Sequence, residues 1–296
     1  MIAKLRRIAG EGRRNEFLWR YAFNFGPTAD YRLRNSPKPT DDERRIIARL
    51  DRDGIAITSV KELGALGHFE ELTECVNGLM SGRQEELRRL REQAQGPGPI
   101  GEKTFNVELL GSPIQFDPDC IYARFALQES IQKIANAYFG MRAELRYYNV
   151  WNTFATAGEA RESQLWHFDR EDNYILKAFL YLDTVDEGTG PFTYAPGTHR
   201  KGPRWNQHPE FFYENNVRRS TDHQMSKVVP ESEWIRATGE RGTLVFADTR
   251  GFHKGGEARN KDRLMYTCMF TSPASQSKRL LTYSSSDSTK TKNRSL

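Results

Sequence analysis

The segment QLWHFDREDNYILKAFLYL (residues 164–182) sets His167 and Asp169 two residues apart at the head of an apolar run. In an extended chain, residues i and i+2 share a face, so an imidazole and a carboxylate are aimed at one point. A neutral nitrogen beside a hard oxygen suits either a divalent metal or an ordinary hydrogen-bonded pair. A metal needs a further protein ligand. His253, in TLVFADTRGFHKGGEARNKDRLMYT, follows one strand-like run and precedes Arg263, which opens another. His199, in APGTHRKG, is the rival third ligand; after a Pro-Gly turn its other role is to anchor a loop. His68, His208 and His223 are read as surface or packing residues.

Two histidines and one carboxylate on one face leave three adjacent octahedral positions open, the arrangement of non-haem Fe(II) oxygenases. Arg263 then acquires a role. A dicarboxylate co-substrate chelates iron through its 2-oxo acid end, and its distal carboxylate calls for the paired donors of a guanidinium. Dioxygen takes the remaining position. Arg259 is the alternative, but Arg263 better fits the start of a strand. Alternation places Tyr147, Asn149, Trp151 and Thr153 on one face. A buried Asn149 needs partners, which makes it a candidate for the co-substrate pocket. Trp151 reads as core packing or as a substrate contact. Lys177 interrupts ILKAFLYL and points either inward to the co-substrate or outward to solvent. Arg170 and Asp172 follow the metal pair in a loop, as substrate contacts or solvated residues.

These residues require a scaffold. TDDERRIIARLDRDG (40–54) opens on a Thr cap with acidic first-turn residues and sets Ile46, Ile47 and Leu50 on one face, ending at Gly54. IAITSV (55–60) reads as a strand. Helices are expected over about 68–94 and 126–139, with a break at GPGPIG (96–101). From about residue 142 the chain turns to short aromatic and β-branched runs punctuated by Gly, Pro, Asp and Asn, the pattern of an all-β sandwich or barrel. The expected organisation is a basic extension over 1–41 and one domain over 42–275, helical to 140 and β-rich from 141. A mobile Ser- and Lys-rich tail follows over 276–296.

Composition narrows the class. The 296 residues carry 44 Lys and Arg against 39 Asp and Glu, a net charge of +5, with 37% hydrophobic and 28% charged residues. This describes a globular protein with a solvated basic surface; the excess charge sits near the two ends, which argues against a nucleic-acid partner. No apolar run reaches the roughly 18 residues of a membrane span, and the basic start lacks the apolar stretch of a secretory signal, so a cytoplasmic location is expected. Cys75, Cys120 and Cys268 form no CxxC pair and are expected as buried free thiols.

The order His167-x-Asp169, His253, Arg263 resembles the Fe(II)- and 2-oxoglutarate-dependent oxygenases. WHFDREDNYILKAFLYLDTVDEGTGPFTYAPGTHRKG and DRDGIAITS resemble the phytanoyl-CoA dioxygenase-like branch, over roughly residues 42–272. The resemblance implies an α+β fold, a double-stranded β-helix (jelly roll, cupin-like) barrel with packed N-terminal helices. It implies Fe(II) on His167, Asp169 and His253, with 2-oxoglutarate held by Arg263. Family members often place that arginine eleven residues after the distal histidine; here it is ten after. The implied reaction consumes O2, releases succinate and CO2 through an Fe(IV)-oxo species, and hydroxylates a small molecule, possible natural-product intermediates included. Desaturation, cyclisation or demethylation are alternative outcomes, and a metal-free jelly-roll binding protein is the alternative class. An intact Asp169 disfavours halogenation, which needs a small residue there.

Overall fold

The computed structural model of the chain describes residues 15–33, 37–96, 103–214, 216–278 and 280–283. The described chain enters through a helical turn, α1 (Glu16–Leu18), which widens at Trp19–Phe23 before α2 (Phe25–Leu33). Trp19 is 2% exposed, packs on Tyr174 and donates its indole N–H to Asp172 Oδ1 at 2.7 Å. Within the expected basic extension over 1–41, Trp19 is thus docked in the core, and Arg20, Asn24 and Asp30 add contacts to Phe139, Ala274 and Arg142; residues 1–14 lie outside the described ones.

Helix α3 (Asp41–Asp53) has the limits its capping chemistry predicts. Thr40 Oγ1 accepts from the Glu43 N–H, the Glu43 carboxylate accepts from the Thr40 N–H, and Gly54 closes the helix at φ +82°. A side chain at Gly54 would also strike Tyr194 and His199. Instead of one helix over 68–94 there are two, α4 (Leu66–Gly82) and α5 (Gln84–Ala94). The chain bends at Arg83, whose guanidinium grips Glu86 and donates to the Leu109 carbonyl at 2.6 Å. The helix expected over 126–139 is α7 (Glu129–Phe139), preceded by a short α6 (Ile121–Ala126) that the sequence pattern did not predict. The break predicted at 96–101 begins after Ala94, and residues 97–102 lie outside the described ones.

A six-stranded antiparallel sheet forms the centre. Its members in chain order are β1 (Ile55–Ser59), β2 (Asn106–Glu108), β4 (Glu144–Thr153), β5 (Leu176–Tyr181), β10 (Thr243–Asp248) and β12 (Arg263–Thr271), arranged β1-β10-β5-β12-β4-β2. Its two edges come from the part expected to be helical, so the boundary expected at 140 does not divide the sheet. A three-stranded sheet, β6 (Phe192–Tyr194) between β9 (Ile235–Ala237) and β11 (His253–Lys254), is a separate hydrogen-bonded unit; the two sheets do not close into one ring. A short hairpin joins β7 (Phe212–Glu214) to β8 (Val217–Arg219). Within the expected tail, β13 (Leu281–Thr282) runs parallel to β3 (Ile114–Gln115), and residues 284–296 lie outside the described ones.

Strand alternation sorts the large sheet into two cores. Tyr148, Val150, Ala178, Leu180, Phe246 and Tyr266 pack with the helices. Phe179, Tyr181, Val245, Ala247 and Met265 join Phe192, Tyr194 and Ala237 of the small sheet. All three cysteines are free; Cys268 is buried, whereas Cys75 is exposed on α4, contrary to the expectation of a buried thiol. No helix among the described residues is long and apolar enough to cross a membrane. Because Trp19 is one of the largest fully enclosed side chains, Trp19→Ala is expected to cost about 3–5 kcal/mol in urea unfolding. A loss under 1 kcal/mol would show that the N-terminal helices dock without contributing to the fold.

Candidate metal centre

His167 and His253 are brought together by main chain. The His167 N–H donates to the His253 carbonyl at 3.0 Å and the return bond is 2.9 Å, an isolated antiparallel bridge beside a second one that pairs Trp166 with Ser220. Asp169 is fixed from the same side, its N–H donating to the Thr249 carbonyl at 2.8 Å. The turn carrying Thr249 is held by the buried Asp248, whose carboxylate accepts from the Tyr138 hydroxyl (2.5 Å) and from the N–H groups of Ile175 and Arg250. The result is a His167–Asp169–His253 cluster whose ligand atoms lie within 4.8 Å of one another.

Each imidazole is set to present the same nitrogen. His167 Nδ1–H donates to the Leu165 carbonyl at 2.8 Å and His253 Nδ1–H to the Gly251 carbonyl at 3.0 Å, which leaves both Nε2 lone pairs free. Burial holds both rings below the ordinary histidine range; His253 is pushed down to about 4, and His167 is lowered further by the neighbouring ring. Asp169 responds differently. Burial alone would raise its carboxyl, but Lys177 and the two imidazoles hold it well below the usual carboxylate range. Lys177 faces inward from β5, with Nζ 2.6 Å from Asp169 Oδ2. Burial opposes the Lys177 charge, yet Asp169 and Glu171 outweigh it and raise the ammonium pKa. Two neutral nitrogens and one ionised oxygen form a donor set fitted to a divalent cation.

The triad opens into a cavity of about 100 Å³ that also contains Arg263, Trp151, Thr153 and Lys177. Arg263 begins β12 opposite Thr153 and is 5% exposed. Its contacts are long, 3.5 Å to the Gly256 carbonyl and 3.5 Å to Thr153 Oγ1, and Nε has no partner. No carboxylate among the described residues pairs with it. Burial lowers its pKa, yet a guanidinium stays charged. The rim near it is a main-chain contact between Gly190-Pro191 and Gly255-Gly256: a Cβ on Gly256 would meet the Gly190 backbone at 2.4 Å.

Other expected site residues lie elsewhere. Asn149 shares the Trp151 and Thr153 face but does not line the cavity. Its amide donates to the Gly111 carbonyl (2.9 Å) and accepts from the N–H groups of Leu110 and Val150, tying a loop to β4. The partners a buried Asn requires are these backbone groups, with a longer contact of 3.4 Å to the Glu108 carboxylate. Asp172 is likewise structural: Oδ1 accepts from Trp19 and from the Asn173 N–H, and Oδ2 from the Ser272 N–H. Arg170 is exposed and stacks over Phe168. His199 donates from Nε2 to the Asp51 carbonyl at 3.2 Å, a loop anchor outside the triad. Arg259 is engaged by the Thr156 and Gly158 carbonyls. Conversely, Lys103, Phe105, Asn106, Gln164 and Phe192 line the cavity without having been singled out. The alternation on β4 was the only signal pointing to this wall.

Residues 119–265 match the family model described as phytanoyl-CoA dioxygenase (PhyH). No curated protein matches the chain. The apo crystal structure of EctD from S. alaskensis is similar with a TM-score of 0.54 at 16% identity, covering 83% of this chain and 83% of that one. EctD crystallised with 2-oxoglutarate and 5-hydroxyectoine gives 0.50 at 14% identity, over 84% and 83%. AviO1 from Streptomyces viridochromogenes Tue57 gives 0.48 at 18% identity, over 81% and 99%. At these identities the likeness to the two EctD structures is one of fold alone.

The low histidine pKa values set the sign of a pH effect. Between the ordinary value of about 6.5 and the folded value of about 4, the unfolded chain binds more protons at His253, so stability falls as pH drops through that window. His253→Gln is expected to flatten the slope of unfolding free energy against pH in this range. An unchanged slope would mean that His253 is not held neutral.

Proposed function

We propose, from the match of residues 119–265 to the phytanoyl-CoA dioxygenase family model, that the protein is an Fe(II)- and 2-oxoglutarate-dependent dioxygenase of that family acting on a small molecule. The two facing sheets are read as a double-stranded β-helix, with residues 42–275 as one oxygenase domain. His167, Asp169 and His253 are the metal ligands in this reading. Bound there, iron would couple the four-electron reduction of O2 to oxidation of a substrate C–H bond and oxidative decarboxylation of 2-oxoglutarate to succinate and CO2, one oxygen atom going to each. Hydroxylation is the favoured outcome, and the carboxylate at 169 disfavours halogenation.

One observation carries the reading: Arg263 is a buried guanidinium with no anionic partner among the described residues, in the same small cavity as the triad. A buried unpaired charge is costly, so such a site is built for an anion that arrives with a ligand. A five-carbon dicarboxylate suits this polarity, with one carboxylate on Arg263 and its 2-oxo acid end toward the imidazoles. Thr153 steadies the guanidinium, and Trp151, Phe179 and Met265 exclude water around the carbon chain. The rings of His167 and His253 are held neutral by burial, so they neither repel a cation nor lose their lone pairs at neutral pH.

An anaerobic titration of the apoprotein with Fe(II) and 2-oxoglutarate is expected to develop a visible charge-transfer band. His253→Ala should abolish it. Arg263→Ala should retain metal binding but need on the order of 10- to 100-fold more 2-oxoglutarate, the loss of about 1.5–3 kcal/mol of charge-assisted hydrogen bonding. Folded wild-type protein that gives no band would refute the assignment and favour a jelly-roll binding protein.

A further inference from the structure

Lys177 was expected to meet the co-substrate, but its ammonium lies 2.6 Å from the carboxylate of a metal-ligand candidate. Both side chains are enclosed, 15% and 14% exposed. Asp169 Oδ2 is buried and has no other partner among the described residues. Lys177 is also the only charged residue of β5, held in register opposite Ala247 and Met269 in the middle of the large sheet. The stem is therefore fixed by two neighbouring strands, and the charge is delivered to one oxygen of one carboxylate.

We infer that Lys177 is a positioning residue that occupies Asp169 Oδ2 and so restricts this carboxylate to one-oxygen coordination of the metal. This rests on the metal-centre reading above. A carboxylate offers a divalent ion one oxygen or two, and each oxygen it gives removes a position from other ligands. An ammonium on Oδ2 competes with the metal for that oxygen, draws charge from the ligand and adds a like charge nearby. It weakens metal binding and keeps coordination positions open for the chelating co-substrate. A carboxylate partner, which raises the basicity of a ligand, has the opposite effect.

The two consequences have opposite signs, which separates this role from the alternatives. Mn(II), which is redox-silent here, is titrated by calorimetry into wild type, K177M, K177L and K177R, each checked for folding by circular dichroism; 2-oxoglutarate is then titrated into the Mn(II)-loaded proteins. Two uncharged variants are included so that the comparison survives if one fails to fold. The expected result is Mn(II) binding roughly tenfold tighter in K177M or K177L, with 2-oxoglutarate binding at least about tenfold weaker. K177R, which keeps a cation on Oδ2, should lie close to wild type in both. Weakening of both ligands would indicate a general loss of structure. Weaker 2-oxoglutarate binding with unchanged Mn(II) affinity would make Lys177 a direct co-substrate ligand. Either of these, or no change, overturns the proposal while leaving the metal centre intact. Wild-type protein that binds no Mn(II) overturns the metal-centre reading itself.

Discussion

The site depends on a pair of backbone hydrogen bonds between His167 and His253. These residues lie far apart in sequence, yet the bonds in both directions put them directly opposite each other and bring the ring centroids to 4.4 Å. Side-chain direction in a ladder has a period of two, so the same bonds that turn His167 and Asp169 toward the cavity turn Trp166 and Phe168 the other way, into an aromatic cluster with Phe252 and Trp234. A slip of one residue would exchange these sets. The aromatic cluster therefore secures the register that brings His167, Asp169 and His253 together.

Electrostatics divides the cavity into two ends. At one end Lys177 and Asp169 neutralise each other and the imidazoles stay neutral, so the ligand set is stable before anything binds. At the other, Arg263 has only long contacts to a carbonyl and a hydroxyl. The positive charge left over is what gives the cavity a preference for an anionic ligand. Thr153 and Gly256 hold the guanidinium in place without cancelling its charge.

Support for this geometry extends to parts of the chain distant from it. Asp172, three residues beyond Asp169, binds the N-terminal Trp19 on one oxygen and the end of β12 at Ser272 on the other. Asp248, at the end of β10, joins α7 through Tyr138 to the start of β5 and to the turn bearing Arg250. These two carboxylates fix the ends of the segments carrying Asp169 and His253. Both accept hydrogen bonds from backbone N–H groups near and far in sequence, so they hold strands and turns together.

Much of this was legible in the sequence because it follows from local rules. The Thr40–Glu43 cap, the Gly54 stop, the strand at 55–59 and the alternation along β4 depend on near neighbours, and the spacing of His167 and Asp169 alone implies a shared direction. The bend at Arg83 was not legible, since periodicity continues across it and the Leu109 carbonyl that accepts from its guanidinium is distant in sequence. Nor was the division of roles among polar residues on one face. Asn149 and Lys177 satisfy the same pattern, yet Asn149 is consumed by the backbone of residues 110–111 while Lys177 reaches Asp169. Residue type and spacing determined which groups were available and which way they pointed. The pairing of distant strands decided which of them met, because hydrogen-bond partners and the absence of an anion at Arg263 are properties of the assembled cavity.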